Sequence, residues 1–95
     1  MLLKSFFAGL FLFNSLPHLI KGITGQTHMT PFKRVSSAYL NILWAFANII
    51  LGLLLLVRPL TGNAMWAFLV GGFFISMADA QLFSKPDARL PWHKD

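Results

Sequence analysis

Apolar residues are not spread evenly along this chain; they fall into three long runs separated by polar breaks. The first covers about Leu2 to Ile20, the second Ala38 to Val57, and the third Ala64 to Phe83. A hydrocarbon core about 30 Å thick takes roughly 20 helical residues. The pattern therefore predicts an all-α integral membrane protein with three transmembrane helices forming one domain over residues 1–95. The first run is the most interrupted, by Lys4, Asn14, Pro17 and His18. Its start resembles a signal peptide, but no small-x-small cleavage motif follows Phe13, so it is read as an uncleaved span.

The breaks carry helix punctuation. Gly22 follows Lys21 where a C-terminal glycine cap belongs. Thr30-Pro31 has the form of an N-cap followed by proline at the first helical position, so the second helix can start as early as residue 31. Arg58 to Asn63 reads as a short connection, with Asn63 able to cap the third helix. Pro86 is expected to end that helix, ahead of a polar tail.

Composition agrees with a bilayer. The chain is 56% hydrophobic and only 12% charged, with ten Phe and three Trp, more apolar surface than a 95-residue soluble domain can bury. The absence of cysteine excludes disulfides, thiol nucleophiles and cysteine-based metal sites. The net charge of +5 matters through its placement. Lys21, Lys33, Arg34, Lys85, Arg89 and Lys94 lie on the side shared by the first loop and the tail; Lys4 and Arg58 lie on the other. Positive residues favour the cytoplasm, which predicts an outside N-terminus and a cytoplasmic C-terminus. Lys21, Lys33 and Arg34 are interface anchors in this reading, and Trp44 and Trp66 belong to aromatic belts.

With that topology Asn14, His18, Asn41, Ser76 and Asp79 come to similar depth near the cytoplasmic ends of their helices. Polar groups in lipid are costly and are expected to turn inward and pair. Asp79 is the one acidic residue inside a span and sits towards a helix C-terminus, where the macrodipole disfavours its charge. A His18–Asp79 pair is the expected compensation. It serves either as structural glue or as a site that takes up a proton or grips a polar ligand. Ala67 with Gly71, Gly72 with Ser76, and Gly52 on the second helix form small-residue stripes for close helix packing, within the monomer or across a homodimer.

Other chemistry finds no support. GITGQ, residues 22–26, lacks the strand and the GK[ST] ending of a phosphate loop. His18, His28 and His93 lack metal-ligand spacing, and no serine–histidine–aspartate constellation is identifiable. No cofactor, nucleic-acid partner or enzymatic activity is expected.

The pattern Asn14-Ser15-Leu16-Pro17-His18, followed by Lys21-Gly22-Ile23-Thr24-Gly25 and Thr30-Pro31-Phe32, resembles a family of small, uncharacterised bacterial inner-membrane proteins. Asn41-Ile42-Leu43-Trp44 and Asn48 fit the same pattern. The resemblance implies a bacterial inner membrane and carries no activity or catalytic residue. A first helix ending in Lys21-Gly22 is also similar to four-helix DoxX-like proteins, although three spans are read here. Two functions follow from the residues. One is a structural or interaction role, as a homo-oligomer or an accessory subunit of a larger membrane protein. The other is a small transporter or polar-ligand binder using the cytoplasmic-side cluster.

Overall fold

The structure, a computed structural model, describes residues 2–83 and Pro91. Three helices account for most of it: α1 (Leu2–Ile23), α2 (Ala38–Leu55) and α3 (Gly62–Phe83). All three are long and apolar enough to cross a membrane. At about 1.5 Å per residue, α1 and α3 reach about 33 Å and α2 about 27 Å. No strand forms among the described residues; the one backbone pairing outside the helices joins His28 to Ser36.

Helix limits differ from the sequence expectation where one signature fits two structures. α2 begins at Ala38, not at residue 31, with Ser37 as its N-cap accepting from the Leu40 N–H at 3.1 Å. α1 runs past Gly22 to Ile23, and the left-handed residue that ends it is Gly25, φ 72°. The N–H of Gln26 reaches back to the Lys21 carbonyl at 2.8 Å, the closure expected of a glycine-terminated helix. α3 begins at Gly62, so Asn63 lies in its first turn instead of capping it. Pro86 and the tail lie outside the described residues.

α1 is the middle helix. It packs against both α2 and α3, which do not meet each other closely. Glycine makes both contacts possible. A Cβ on Gly9 would collide with the Phe68 carbonyl, and one on Gly71 with the Phe6 carbonyl, so α1 and α3 cross with their backbones touching. Gly72 lies beneath the Phe13 ring, and Gly52 beneath Leu12. Gly22 sits against Ala38 and Ile42, which is why it is buried and does not act as a cap. Gly52, Gly71 and Gly72 are thus used inside the chain and lend no support to a homodimer face; Ala67 is half-buried on α3.

The interior is polar and the exterior greasy. The buried face of α2 is Asn41, Ala45, Asn48 and Gly52, and that of α1 includes Ser5, Ser15 and His18. Only Ala8, Met29, Ala45 and Val57 are buried hydrophobics among the described residues. Leu43, Leu54, Trp66 and Phe73 are each at least 68% exposed. Ridges of large apolar side chains therefore face outward, the reverse of a water-soluble core.

Candidate functional site

The polar residues converge at the end of the molecule where α1 finishes, α2 starts and α3 finishes. Residues 24–37, which join α1 to α2, fold inward there: Met29, Thr30 and Ser36 are buried. Thr30 shows why. Its Oγ1 accepts from the N–H groups of Phe32 (3.2 Å) and Lys33 (3.4 Å), and lies 2.7 Å from Ser36 Oγ. Ser36 Oγ in turn donates to the Lys33 carbonyl at 3.0 Å. Threonine before proline here builds a closed turn that resembles the first turn of a helix without continuing as one. Backbone buried at this depth must satisfy itself, and these bonds do so.

Asn41 ties the loop to the helices. Its Nδ2 faces three carbonyls, of His28 (3.1 Å), Ser36 (3.2 Å) and Ser37 (3.0 Å). That surrounding fixes the amide orientation, since a flipped Oδ1 would meet three oxygens. Asn41 Oδ1 lies 2.8 Å from His18 Nδ1 and can only accept. His18 therefore donates through Nδ1–H, and in the neutral ring Nε2 carries the lone pair. One level deeper, Asn14 Nδ2 donates to Asn48 Oδ1 at 3.2 Å, and Asn48 Nδ2 to the Trp44 carbonyl at 2.8 Å.

Asp79 is placed differently from these. His18 pairs with Asn41 and not with Asp79, and no hydrogen bond or ion pair to the Asp79 carboxylate forms among the described residues. Both side chains instead line one cavity of about 180 Å³, with Asn14, Thr30, Trp44 and Phe83. Asp79 also borders a shallower groove with Pro17, His28 and Ser76. Ser76 turns back on its own helix, donating to the Gly72 carbonyl at 2.7 Å, and takes no part in the cluster. Lys21 donates to Gln26 at 3.1 Å, and Lys33 is exposed, so both cations face outward at this end; Arg34 is half-buried beside them. Lys85, the other candidate partner for Asp79, lies outside the described residues.

The sequence reading missed His28. Its ring lies 4.3 Å from Phe83 and 5.3 Å from His18, centroid to centroid. Its Nε2 is buried without a partner. Burial, reinforced by the nearby Lys21 charge and by His18 whenever that ring is protonated, lowers its pKa to about 4, so the ring is neutral near pH 7. No periodic signal marks a loop histidine, and only the inward fold of residues 24–37 brings it to the site. Among the described residues no group of three histidine or acidic side chains is arranged to hold a metal ion.

No protein-family model, curated protein or solved structure matches the chain.

Proposed function

We propose that this chain is a multi-pass protein of a bacterial inner membrane that binds a small polar ligand in the cavity beneath the α1–α2 loop. The membrane reading rests on the outward apolar surface of three span-length helices. The bacterial inner membrane comes from the sequence resemblance. The binding reading rests on one observation: most interior polar groups are spent on internal hydrogen bonds, while Asp79, His18 and Asn14 line one cavity and the Asp79 carboxylate, the His18 Nε2 and the Asn14 Oδ1 have no partner among the described residues. A carboxylate at membrane depth is expensive to keep unless it has a task.

The orientation is N-terminus outside, C-terminus cytoplasmic. Its support is the charge bias of six basic residues to two, with Lys21, Lys33 and Arg34 all at the cavity end. Reporter fusions at Gly25 and after Asp95 are expected to read cytoplasmic, and one near Gly62 external. A periplasmic reading at Gly25 contradicts this orientation and moves the cavity to the other leaflet.

A second reading, an interaction role as an accessory subunit or self-associating protein, is favoured by α3. Only Gly71 and Gly72 of that helix are buried, leaving Trp66, Phe73, Phe74 and Met77 exposed. Asp79→Asn separates the two. If Asp79 serves a ligand, the substitution leaves folding intact and removes binding. An accessory subunit instead co-purifies in fixed ratio with a larger membrane protein, whatever stands at residue 79.

A further inference from the structure

We propose that the ligand of this cavity is a small organic ammonium ion, held by the Asp79 carboxylate and the His18 Nε2 lone pair against the Trp44 and Phe83 rings. The inference rests on the binding reading above and names its ligand class.

The groups left unspent at this cavity are all acceptors: the Asp79 carboxylate, the His18 Nε2 and, since Asn14 bonds through Nδ2, the Asn14 Oδ1. Asp79 is half-buried and has no cation or donor among the described residues. His18 is locked by Asn41 into the form that keeps Nδ1–H engaged, which leaves Nε2 to accept. A ligand matching them must bring donors, and matching a carboxylate in a low-dielectric site calls for positive charge. A primary ammonium group supplies three N–H donors and one charge in a compact head.

The walls select an organic cation over a bare ion. Trp44, Phe83, Ile75 and Leu82 supply apolar and aromatic surface, and aromatic faces attract ammonium groups. Trp44 is held edge-to-face by Phe32 with centroids 5.4 Å apart, so its position is supported from behind. A volume of about 180 Å³ accommodates several water-sized groups, enough for an amine with a short carbon chain. A bare metal ion would find one carboxylate, one imidazole and the neutral oxygens of Asn14 and Thr30 here, with no group of three histidine or acidic ligands among the described residues.

The test uses the full chain, labelled with ¹⁵N-tryptophan, in nanodiscs of zwitterionic lipid. The Trp44 indole signal, assigned with Trp44→Phe, is followed during titration with propylammonium, 1-propanol, propionate and sodium chloride. Propylammonium is expected to shift that signal saturably while the other three do not. Asp79→Asn is expected to weaken the response at least tenfold with the remaining indole signals unmoved. An equal saturable response to propanol or propionate overturns the ammonium assignment and leaves a polar-ligand site. The same response to sodium at equal concentration overturns the organic part of it. Failure of every probe to move Trp44 overturns both this assignment and the binding reading. Because the ligand panel is run on the unaltered chain, the result stands even if the Asp79 variant folds poorly.

Discussion

Asn41→Leu is expected to release the α1–α2 loop from the helices while leaving the three spans helical. The side chain it removes makes four hydrogen-bond contacts, to His18, His28, Ser36 and Ser37. The three carbonyls each retain another partner: the Ser36 N–H reaches His28, the His28 N–H reaches Ser36, and the residue 41 N–H reaches Ser37. The His18 Nδ1–H retains none, and an unsatisfied buried donor costs about 1–3 kcal/mol. Adding the lost amide bonds brings the expected destabilisation to about 3–5 kcal/mol. Hydrogen exchange should show it as lost protection at Met29, Thr30 and Ser36, with α3 little changed. Asn48→Leu, which removes contacts to Asn14 and Trp44, should cost less, about 1–2 kcal/mol. Wild-type protection of the loop in Asn41→Leu would show that Asn41 does not hold it.

Gly71→Ile is expected to prise α1 from α3. The obstacle to a side chain at residue 71 is the Phe6 backbone carbonyl, which cannot rotate away as a side chain can. Overpacking typically costs about 1–3 kcal/mol, and a backbone clash places this variant at or above the upper end. Gly9→Ile should behave alike, because Gly9 faces the Phe68 carbonyl in the same crossing. Ala78→Ile is the control: Ala78 is exposed on α3 and has room to grow. Denaturant titration in micelles reads the difference. Equal midpoints for Gly71→Ile and Ala78→Ile would mean that α1 and α3 do not cross at these glycines.

The spans and their buried faces were legible because lipid simplifies the code. Apolar length marks a helix, and polar or small residues at helical spacing mark its inward side, as Asn41, Ala45, Asn48 and Gly52 do. Of the five residues expected at one depth, Asn14, His18 and Asp79 border one cavity and Asn41 bonds His18, while Ser76 turns back on α3. Rotation about the helix axis and the path of the loop were not legible. His18 and Asp79 share a depth, yet His18 turns to Asn41, because the start of α2 and the folded-in loop place an amide beside it. That loop was hidden because threonine before proline is equally the signature of a helix start and of a closed turn. The same ambiguity obscured Gly22, whose role is contact with α2, while Gly25 turns the chain. Gly9, half of the closest helix crossing, forms a small-residue pair with Ser5 four positions earlier, a signal too short to stand out within an apolar run.

The central claim is that Asp79 is kept for a ligand and is not spent on the fold. The most direct measurement is the unfolding free energy of Asp79→Asn beside Asn41→Leu, in the same bilayer mimic without added ligand. Asn41 is fully bonded and Asp79 has no partner among the described residues. The account predicts that Asp79→Asn unfolds at or above the wild-type midpoint, since it removes a half-buried charge and breaks no bond among the described residues. Asn41→Leu should fall well below it. A loss in Asp79→Asn as large as that in Asn41→Leu would mean that the carboxylate is structural, and would contradict the account.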